Sequence, residues 1–363
     1  MLGRLDPNFW QDKRVFLTGH TGFKGAWLAY WLVGMGAKVT GYALAPATSP
    51  ALYDLLGLDQ LMDSIIGDIR NATDVRAALE SARPEVVLHL AAQPIVSVGY
   101  EAPVETFETN VMGVVHLLDA CRDLNGQVPV LIISSDKCYR NNDDGHAFHV
   151  NDPLGGHDPY SASKAGTEIV VGAYGASYFK DADGPILASA RAGNVVGGGD
   201  WSLNRLLPDG ARAFAAGTPL VLRNPLATRP WQHVVEPLYG YLVLVQAMIA
   251  DRKFARAWNF GPNDRNHEAV GPLAELFATA WGPNAAVQIS QNTQNWKEAA
   301  TLDLDCTETF ERLAWKPVLD LQATVDWTAQ WYRDTYSDMS TGAVRVRTQA
   351  QIDDYVQLQA DRP

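Results

Sequence analysis

Two short stretches carry side chains that could do chemistry together. "SSDKCY" (134–139) places Ser135, Asp136 and Lys137 at the end of a strand-like run, "VPVLIIS". "YSASK" places Tyr160 and Lys164 four residues apart, so that on a helix both side chains share one face. An ammonium beside a phenol favours the phenolate and lowers the tyrosine pKa. Such a tyrosine can take the proton of an alcohol while the carbon that bears it gives up hydride. Asp136 and Lys137 put an acid and a base side by side, which fits either a solvated turn or a second acid–base pair.

The elements around these residues would have to hold them at one edge of a sheet. "RVFLTG", "KVTGYAL", "IIGDI", "EVVLHLAA", "PVLIISS" and "PILASAR" read as short apolar strands. Between them lie helical patterns such as "GAWLAYWLVGMG", "TDVRAALESA" and a long one from about Pro103 to Leu124. This alternation predicts an α/β fold: a doubly wound parallel-sheet (Rossmann) domain with a smaller mixed α/β substrate domain. Regularity breaks after about Gly193 at "GNVVGGGDW", and "PLYGYLVLVQAMIA" reads as a buried helix returning to the first domain. The expected division is 1–193 plus about 234–256 for the nucleotide-binding domain, and about 194–233 and 257–335 for the smaller one. Residues 336–363 are polar and weakly patterned, which predicts a loosely held tail.

"TGHTGFKG" lies between the first strand and the first helix, with Gly19, Gly22 and Gly25 in a G-x-x-G-x-x-G pattern. Residues without Cβ let the backbone approach a pyrophosphate, and the helix start offers unpaired N–H groups and the positive end of its dipole. Lys24, inside the loop, could touch a phosphate or point to solvent. About 20 residues on, where an acid usually holds the adenosine ribose, "GYALAPATS" has neither an acid nor an arginine suited to a 2′-phosphate. Asp68 and Ile69 end the third strand where an adenine could be bracketed, and "AAQ" (91–93) closes the fourth strand on the same edge. The expected cofactor is NAD.

Composition narrows the class. The chain has 363 residues, 47% hydrophobic and 19% charged, as expected of a globular protein of two domains. A net charge of −12 argues against binding nucleic acid or an anionic membrane, though local arginines can still hold an anionic small ligand. The longest apolar run is too short to span a bilayer, and the N-terminus lacks a signal-type apolar core. Three scattered cysteines, at 121, 138 and 306, suggest neither a metal site nor a disulfide framework, so the expected compartment is the cytoplasm. His89, within an apolar strand, reads as a core histidine.

Together "TGHTGFKG", "GDI", "HLAAQ", "TNVMG", "SSDKCY", "YSASK" and "RAGNVVGGGDW" resemble the extended short-chain dehydrogenase/reductase family over nearly the whole chain. "GHTGFKG", "SDKCY", "GGGDW" and "NPLATRPWQHV" are most similar to its nucleotide-sugar dehydratase branch, to the members acting on CDP-glucose. The resemblance implies an internal redox cycle: oxidation at C4, loss of water across C5 and C6, and hydride return to C6. In it Tyr160 deprotonates the C4 hydroxyl with Ser135 as hydrogen-bond partner and Lys164 tuning the phenolate. Asp136 protonates the departing C6 hydroxyl. Lys137, where related dTDP-sugar dehydratases carry Glu, either takes the C5 proton or stabilises the enolate electrostatically. A nucleotide-sugar 4-epimerase shares the fold, the cofactor and the tyrosine–lysine pair, but would leave Asp136-Lys137 idle; a catalytically inactive NAD-binding regulator is a further alternative.

The same resemblance adds His20, Phe23, Leu90, Ala91, Ala92, Gln93 and Asn110 to the cofactor contacts. It also assigns the sugar-diphosphate side to Asn194, Arg205, Leu206, Pro208, Arg229 and His233, with Gln93 shared. Arg205 and Arg229 suit a diphosphate clamp; Arg205 could equally be a solvated arginine and His233 a filler of a polar pocket. Trp201 and Trp231 could wall the nucleoside or pack in the core. Relatives pair through the helices at Pro103–Leu124 and Tyr160–Phe179, implying a homodimer, with a tetramer as the alternative. The implied setting is dideoxysugar synthesis for a bacterial surface polysaccharide.

Overall fold

The computed structural model describes residues 2–262, 268–290 and 301–362. Seven strands form one parallel sheet: β1 (Arg14–Thr18), β2 (Lys38–Ala43), β3 (Asp63–Ile66), β4 (Val86–His89), β5 (Pro129–Ile133), β6 (Ile186–Ala192) and β7 (Ala257–Phe260). Their order is β3-β2-β1-β4-β5-β6-β7, with every neighbouring pair parallel. This is the expected doubly wound topology, and its order reverses between β1 and β4, where the crevice for a ligand opens.

The principal helices in chain order are α1 (Phe23–Gly34), α2 (Ala72–Ala82), α3, α4 (Pro159–Ser177), α5 (Leu206–Ala215), α6 (Val235–Ala250), α7 (Val270–Trp281), α8 (Leu321–Ser337) and α9 (Thr341–Ala360). Three abutting segments make α3: Pro103–Phe107, Glu108–Met112 and Gly113–Cys121, the middle one a π-turn. Strand side chains alternate between two cores, as the period of two requires. Leu17, Leu88 and Leu131 pack with Trp27 and Leu28 of α1 and Leu242 of α6. Phe16, Val87 and Val130 pack with Leu79 of α2, Leu117 of α3 and Val171 of α4. Both faces are therefore covered, which is why β4, β5 and β6 are buried along their whole length.

Two expectations need correction. Ala257–Phe260, placed above in the smaller domain, is β7, the edge strand pairing with β6. A four-residue strand after a long helix leaves too little alternation to be assigned by pattern. The tail is not loosely held: Thr341–Ala360 is a helix whose first turn is capped by the Ser340 hydroxyl. Val344, Ile352 and Tyr355 are fully or almost fully buried, against elements that include α1 and α6. The apolar stripe is one residue wide and interrupted by Thr348 and Gln351, so it barely stands out from its polar surroundings.

Tyr355 anchors this helix. Its hydroxyl donates to the buried Glu236 carboxyl on α6, whose other oxygen accepts the N–H groups of Val318 and Leu319 at 2.9 and 2.7 Å. Tyr355→Phe deletes that bond inside the core, so thermal or urea unfolding should show a loss of about 1–3 kcal/mol. An unchanged midpoint would mean that packing alone holds α9.

Candidate active site

A cavity of roughly 610 Å³ follows the carboxyl edge of the sheet and continues into the smaller lobe. It is lined at one end by the glycine turn and at the other by residues of α5 and the loop after it. Ser135, Asp136, Lys137, Tyr160 and Lys164 all line its middle, brought together from β5 and α4.

At the first end Gly19 has a positive φ of 79°. A Cβ on Gly25 would lie 2.0 Å from the Gly19 carbonyl oxygen, so only glycine lets α1 pack this closely under the turn. Gly22 precedes α1 with no side-chain cap, leaving first-turn N–H groups for a ligand. Phe23, Asp68, Ile69, Leu90, Ala91 and Ala92 line the same wall. Thr18 shapes it from below: its hydroxyl accepts the N–H groups of Leu90 and Ala91 at 3.2 and 3.1 Å and meets His89 Nδ1 at 2.7 Å. His89 is thus a satisfied core histidine. The nearby wall at Leu44, Ala45, Ala47 and Thr48 carries no cation. Arg70 is committed to Asp68 at 2.6 Å, with Glu105 and Glu108 at 3.4 and 3.9 Å. The donor set fits a dinucleotide without a 2′-phosphate.

Three residues expected among the cofactor contacts do not line the cavity. His20 is buried beneath the turn, with Nε2 2.7 Å from the Ser64 hydroxyl, and burial pushes its pKa down to about 4. Gln93 and Asn110 instead brace the wall. The Gln93 amide oxygen accepts Ile95 N–H at 2.6 Å and its nitrogen donates to Thr106 at 2.9 Å. Asn110, in the π-turn, accepts Gln93 N–H at 2.8 Å and donates to Ser163 on α4 at 2.8 Å. Lys24 lines the cavity and is held away from solvent. Its ammonium donates to the Tyr241 hydroxyl at 3.1 Å, and burial, together with the Lys164 and Arg205 charges, lowers its pKa to about 7.

At the centre, the Ser135 hydroxyl donates to Asp136 Oδ1 at 2.9 Å and pulls the pKa of the buried Tyr160 phenol down. It also accepts Lys137 N–H at 3.2 Å, which opens the short turn that carries the acid and the lysine. Asp136 is 2% exposed, and its Oδ2 has no partner among the described residues. That oxygen faces Gly193, where a Cβ would stand 3.2 Å from it. Burial raises the Asp136 pKa against the opposing charges of Lys137 and Arg229, so this carboxyl holds its proton beyond the ordinary range. The alternative of a solvated Asp-Lys turn is excluded for Asp136.

The tyrosine differs from expectation. Burial pushes the Tyr160 phenol up to about 12, although Ser135 and Arg205 pull the other way. Lys164 itself is lowered to about 8 by burial, partly offset by Glu168 and Cys138. Spacing showed that the two groups share a face; it could not show that loss of water is the largest influence on each of them.

Pattern reading missed the residues that hold this wall in place. Glu168, one turn beyond Lys164, is buried and accepts from Ser134 (2.5 Å), Ser189 (2.8 Å) and Arg191 (2.6 Å). Arg191 also donates to the Tyr139 hydroxyl at 2.7 Å, which in turn donates to Asn259 on β7 at 2.6 Å. A four-residue step from Lys164 on the same helix face was the available signal for Glu168.

In the smaller lobe Asn194, Arg205, Leu206, Pro208 and Arg229 line the cavity. Arg205 is not a free surface group: Asp200 holds it at 3.4 Å, immediately before the uncapped start of α5. Arg229 is buried, donates to its neighbour's carbonyl (Thr228) at 2.7 Å and acts electrostatically on Asp136. Trp201 and Trp231 are largely buried yet contribute to the wall. His233 does not: its ring packs edge-on against Trp27 and Trp327, and burial lowers its pKa to about 3. Among the described residues no group of three His, Cys, Asp or Glu could hold a metal ion.

The family model described as GDP-mannose 4,6 dehydratase matches residues 16–328. The chain is 45% identical over 334 residues to the CDP-glucose 4,6-dehydratase of Salmonella typhimurium, covering 91% of this chain and 93% of the relative. Solved structures of similar fold include the dTDP-glucose 4,6-dehydratase of Streptomyces venezuelae with NAD bound, at 21% identity and a TM-score of 0.74, covering 89% of this chain and 98% of that one. Another is the UDP-glucose 4-epimerase of Thermus thermophilus in complex with NAD, at 23% identity and a TM-score of 0.74, covering 88% and 98%.

The glycine turn gives a test independent of any reaction. Gly25→Ala drives a methyl into the Gly19 carbonyl, so dinucleotide binding measured by calorimetry should fall by at least about tenfold while the far-ultraviolet spectrum is kept. Undiminished binding would show that the turn relaxes at no cost.

Proposed function

The chain belongs to the family described as GDP-mannose 4,6 dehydratase, and we propose from that premise that it is a hydro-lyase converting CDP-glucose to CDP-4-dehydro-6-deoxyglucose and water. The resemblance to the Salmonella enzyme supports the nucleotide. One observation carries the choice of dehydration over epimerisation: a buried, proton-holding Asp136 with an unpartnered oxygen, next to the Ser135–Tyr160 pair. A 4-epimerase has no use for such an acid.

The glycine turn and the Asp68–Ile69 and Leu90–Ala92 walls would hold NAD, which when bound would supply the hydride chemistry at C4 and C6. The remaining steps belong to the protein's own groups. Tyr160 takes the C4 hydroxyl proton, with Ser135 fixing the phenol and the Lys164 ammonium favouring the phenolate. The resulting 4-ketone makes the C5 proton acidic. Asp136 gives its proton to the departing C6 hydroxyl, a task its burial suits. Lys137, adjacent to Asp136, faces the same cavity and serves at C5. Asn194, Arg205, Leu206, Pro208 and Arg229 form the diphosphate side.

Val104 and Ile169, 70% and 61% exposed, lie with Phe107 and Met112 on α3 and α4, which pack together. This apolar surface supports a homodimer formed through these helices. No helix among the described residues is long and apolar enough to cross a membrane. A cytoplasmic location belongs to the same proposal, supported by three buried cysteines that are all free. Supply of a deoxysugar precursor follows from the product's chemistry.

Incubation with CDP-glucose and NAD should produce a 4-keto-6-deoxy sugar, followed by its alkali-induced near-ultraviolet absorbance. Appearance of CDP-galactose without that chromophore would replace the proposal by epimerisation. Tyr160→Phe should abolish reduction of the cofactor. Asp136→Asn should allow oxidation at C4 and slow water loss by about a hundredfold or more; full activity would remove its acid role. Lys137→Arg separates the two roles at C5: retained dehydration would assign it a charge, lost dehydration with retained oxidation a proton. Ile169→Glu should shift the mass measured by sedimentation to that of a monomer.

A further inference from the structure

Asp200, the acid of "GGGDW" (197–201), takes no part in the steps above, yet it is 4% exposed and lines the cavity. Burying a carboxylate costs solvation unless a cation and hydrogen bonds replace the water. Here Oδ1 accepts the Ser202 N–H at 3.0 Å, and Oδ2 lies 3.4 Å from Arg205 Nη1. The arginine side chain is 33% exposed, against 6% for that of Asp200. A deeply set acid therefore holds a long side chain that reaches into the cavity.

The acid is fixed because its loop is. The Gly198 carbonyl accepts the Trp27 indole N–H of α1 at 2.8 Å, and a Cβ on Gly198 would stand 2.0 Å from the Trp331 ring of α8. The Asp200 carbonyl accepts the Tyr332 hydroxyl, also of α8. Arg212 of α5 donates to the carbonyls of Trp201 and Ser202 at 2.9 and 3.2 Å. The Trp201 ring packs edge-on against Trp331 and Tyr332. Trp331 in turn donates to Thr348 of α9 at 3.1 Å. Four helices, α1, α5, α8 and α9, thus set where the carboxylate stands.

A guanidinium carries five N–H donors in one plane, and Asp200 stands at one Nη, so donors remain for a second anion. The Arg205 charge acts on both Lys24 and Tyr160, which places it where the diphosphate side meets the reacting centre. We propose that Asp200 is a positioning residue for the substrate: it holds the Arg205 guanidinium in the orientation that takes the sugar diphosphate, and acts on binding only through that arginine. Two effects oppose each other. Ordering the arginine in advance favours binding, because less rotamer freedom is lost when the anion arrives. The carboxylate's own charge repels a diphosphate. Arg205 and the Ser202 N–H already balance that charge, so the repulsion is largely cancelled while the ordering remains.

The inference rests on Arg205 belonging to the diphosphate side of a CDP-sugar site, and the test keeps the two apart. CDP is titrated calorimetrically into the NAD-loaded chain as wild type, Asp200→Asn, Arg205→Gln and the double variant. A wild type that binds no CDP would overturn the function proposed above, and Arg205→Gln binding as tightly as wild type would remove the arginine from the diphosphate side. With both in place, Arg205→Gln should weaken CDP binding by at least about tenfold and Asp200→Asn by about three- to tenfold. The double variant should bind no more weakly than Arg205→Gln. NAD affinity should be the same in Asp200→Asn as in wild type, which a general loosening of the loop on α1 would not leave intact. Asp200→Asn unpairs only a part-exposed arginine, so the fold is kept. Should Arg205→Gln strand the buried carboxylate and fail to fold, the double variant, which removes both charges, replaces it, and Asp200→Asn against wild type still decides. Asp200→Asn binding CDP as tightly as wild type or more tightly, or single losses that add in the double variant, would show that Asp200 does not act through Arg205.

Discussion

Loss of water around ionisable groups at one sheet edge is the constraint from which the site's chemistry follows. Asp136 and Tyr160 are pushed to hold their protons, while Lys164 and Lys24 are pushed to release theirs. All four shifts have burial as their largest cause and move each group towards its uncharged form. A site built this way generates charge only when reactants supply or demand it. The pyrophosphate, the sugar diphosphate and the reacting hydroxyls then decide which group ionises.

Holding such groups together needs a scaffold that does not give. Burial of Glu168 with Arg191 costs solvation that several hydrogen bonds offset, and the pair spans α4, β5 and β6 behind the catalytic wall. Through Tyr139 and Asn259 the network reaches β7. On the cofactor side, Thr18 joins β1 to the loop after β4, and Asn110 joins α3 to α4. These contacts set where Ser135, Tyr160 and Lys164 stand to within a hydrogen bond's tolerance. The net charge of −12 and the arginines of the smaller lobe are compatible for the same reason: Arg205 and Arg229 act locally in a partly dry cavity, where a distant surface charge is screened.

Much of this was legible along the chain because it is written in local patterns. Gly19, Gly22 and Gly25 announce a turn and a helix start, and six of the seven parallel strands show as short apolar runs. Ser135, Asp136, Lys137, Tyr160 and Lys164 do meet in one cavity, as do Asn194, Arg205 and Arg229. Patterns failed where burial came from distant partners. β7 is too short to show a period, and α9 buries a stripe one residue wide against α1 and α6. His20 and His233 stood beside cofactor- and substrate-binding motifs, but their rings turn into the core and away from the cavity.

Spacing along the chain thus indicated which residues would meet in one cavity, because a helix or a strand end fixes neighbours by geometry alone. Packing decided the protonation of each group, the braces behind them and the direction in which Lys24 and the histidines point. Those properties depend on how much water the folded chain removes and on which distant oxygen or charge replaces it. Neither quantity exists until β5, α4 and the smaller lobe have come together.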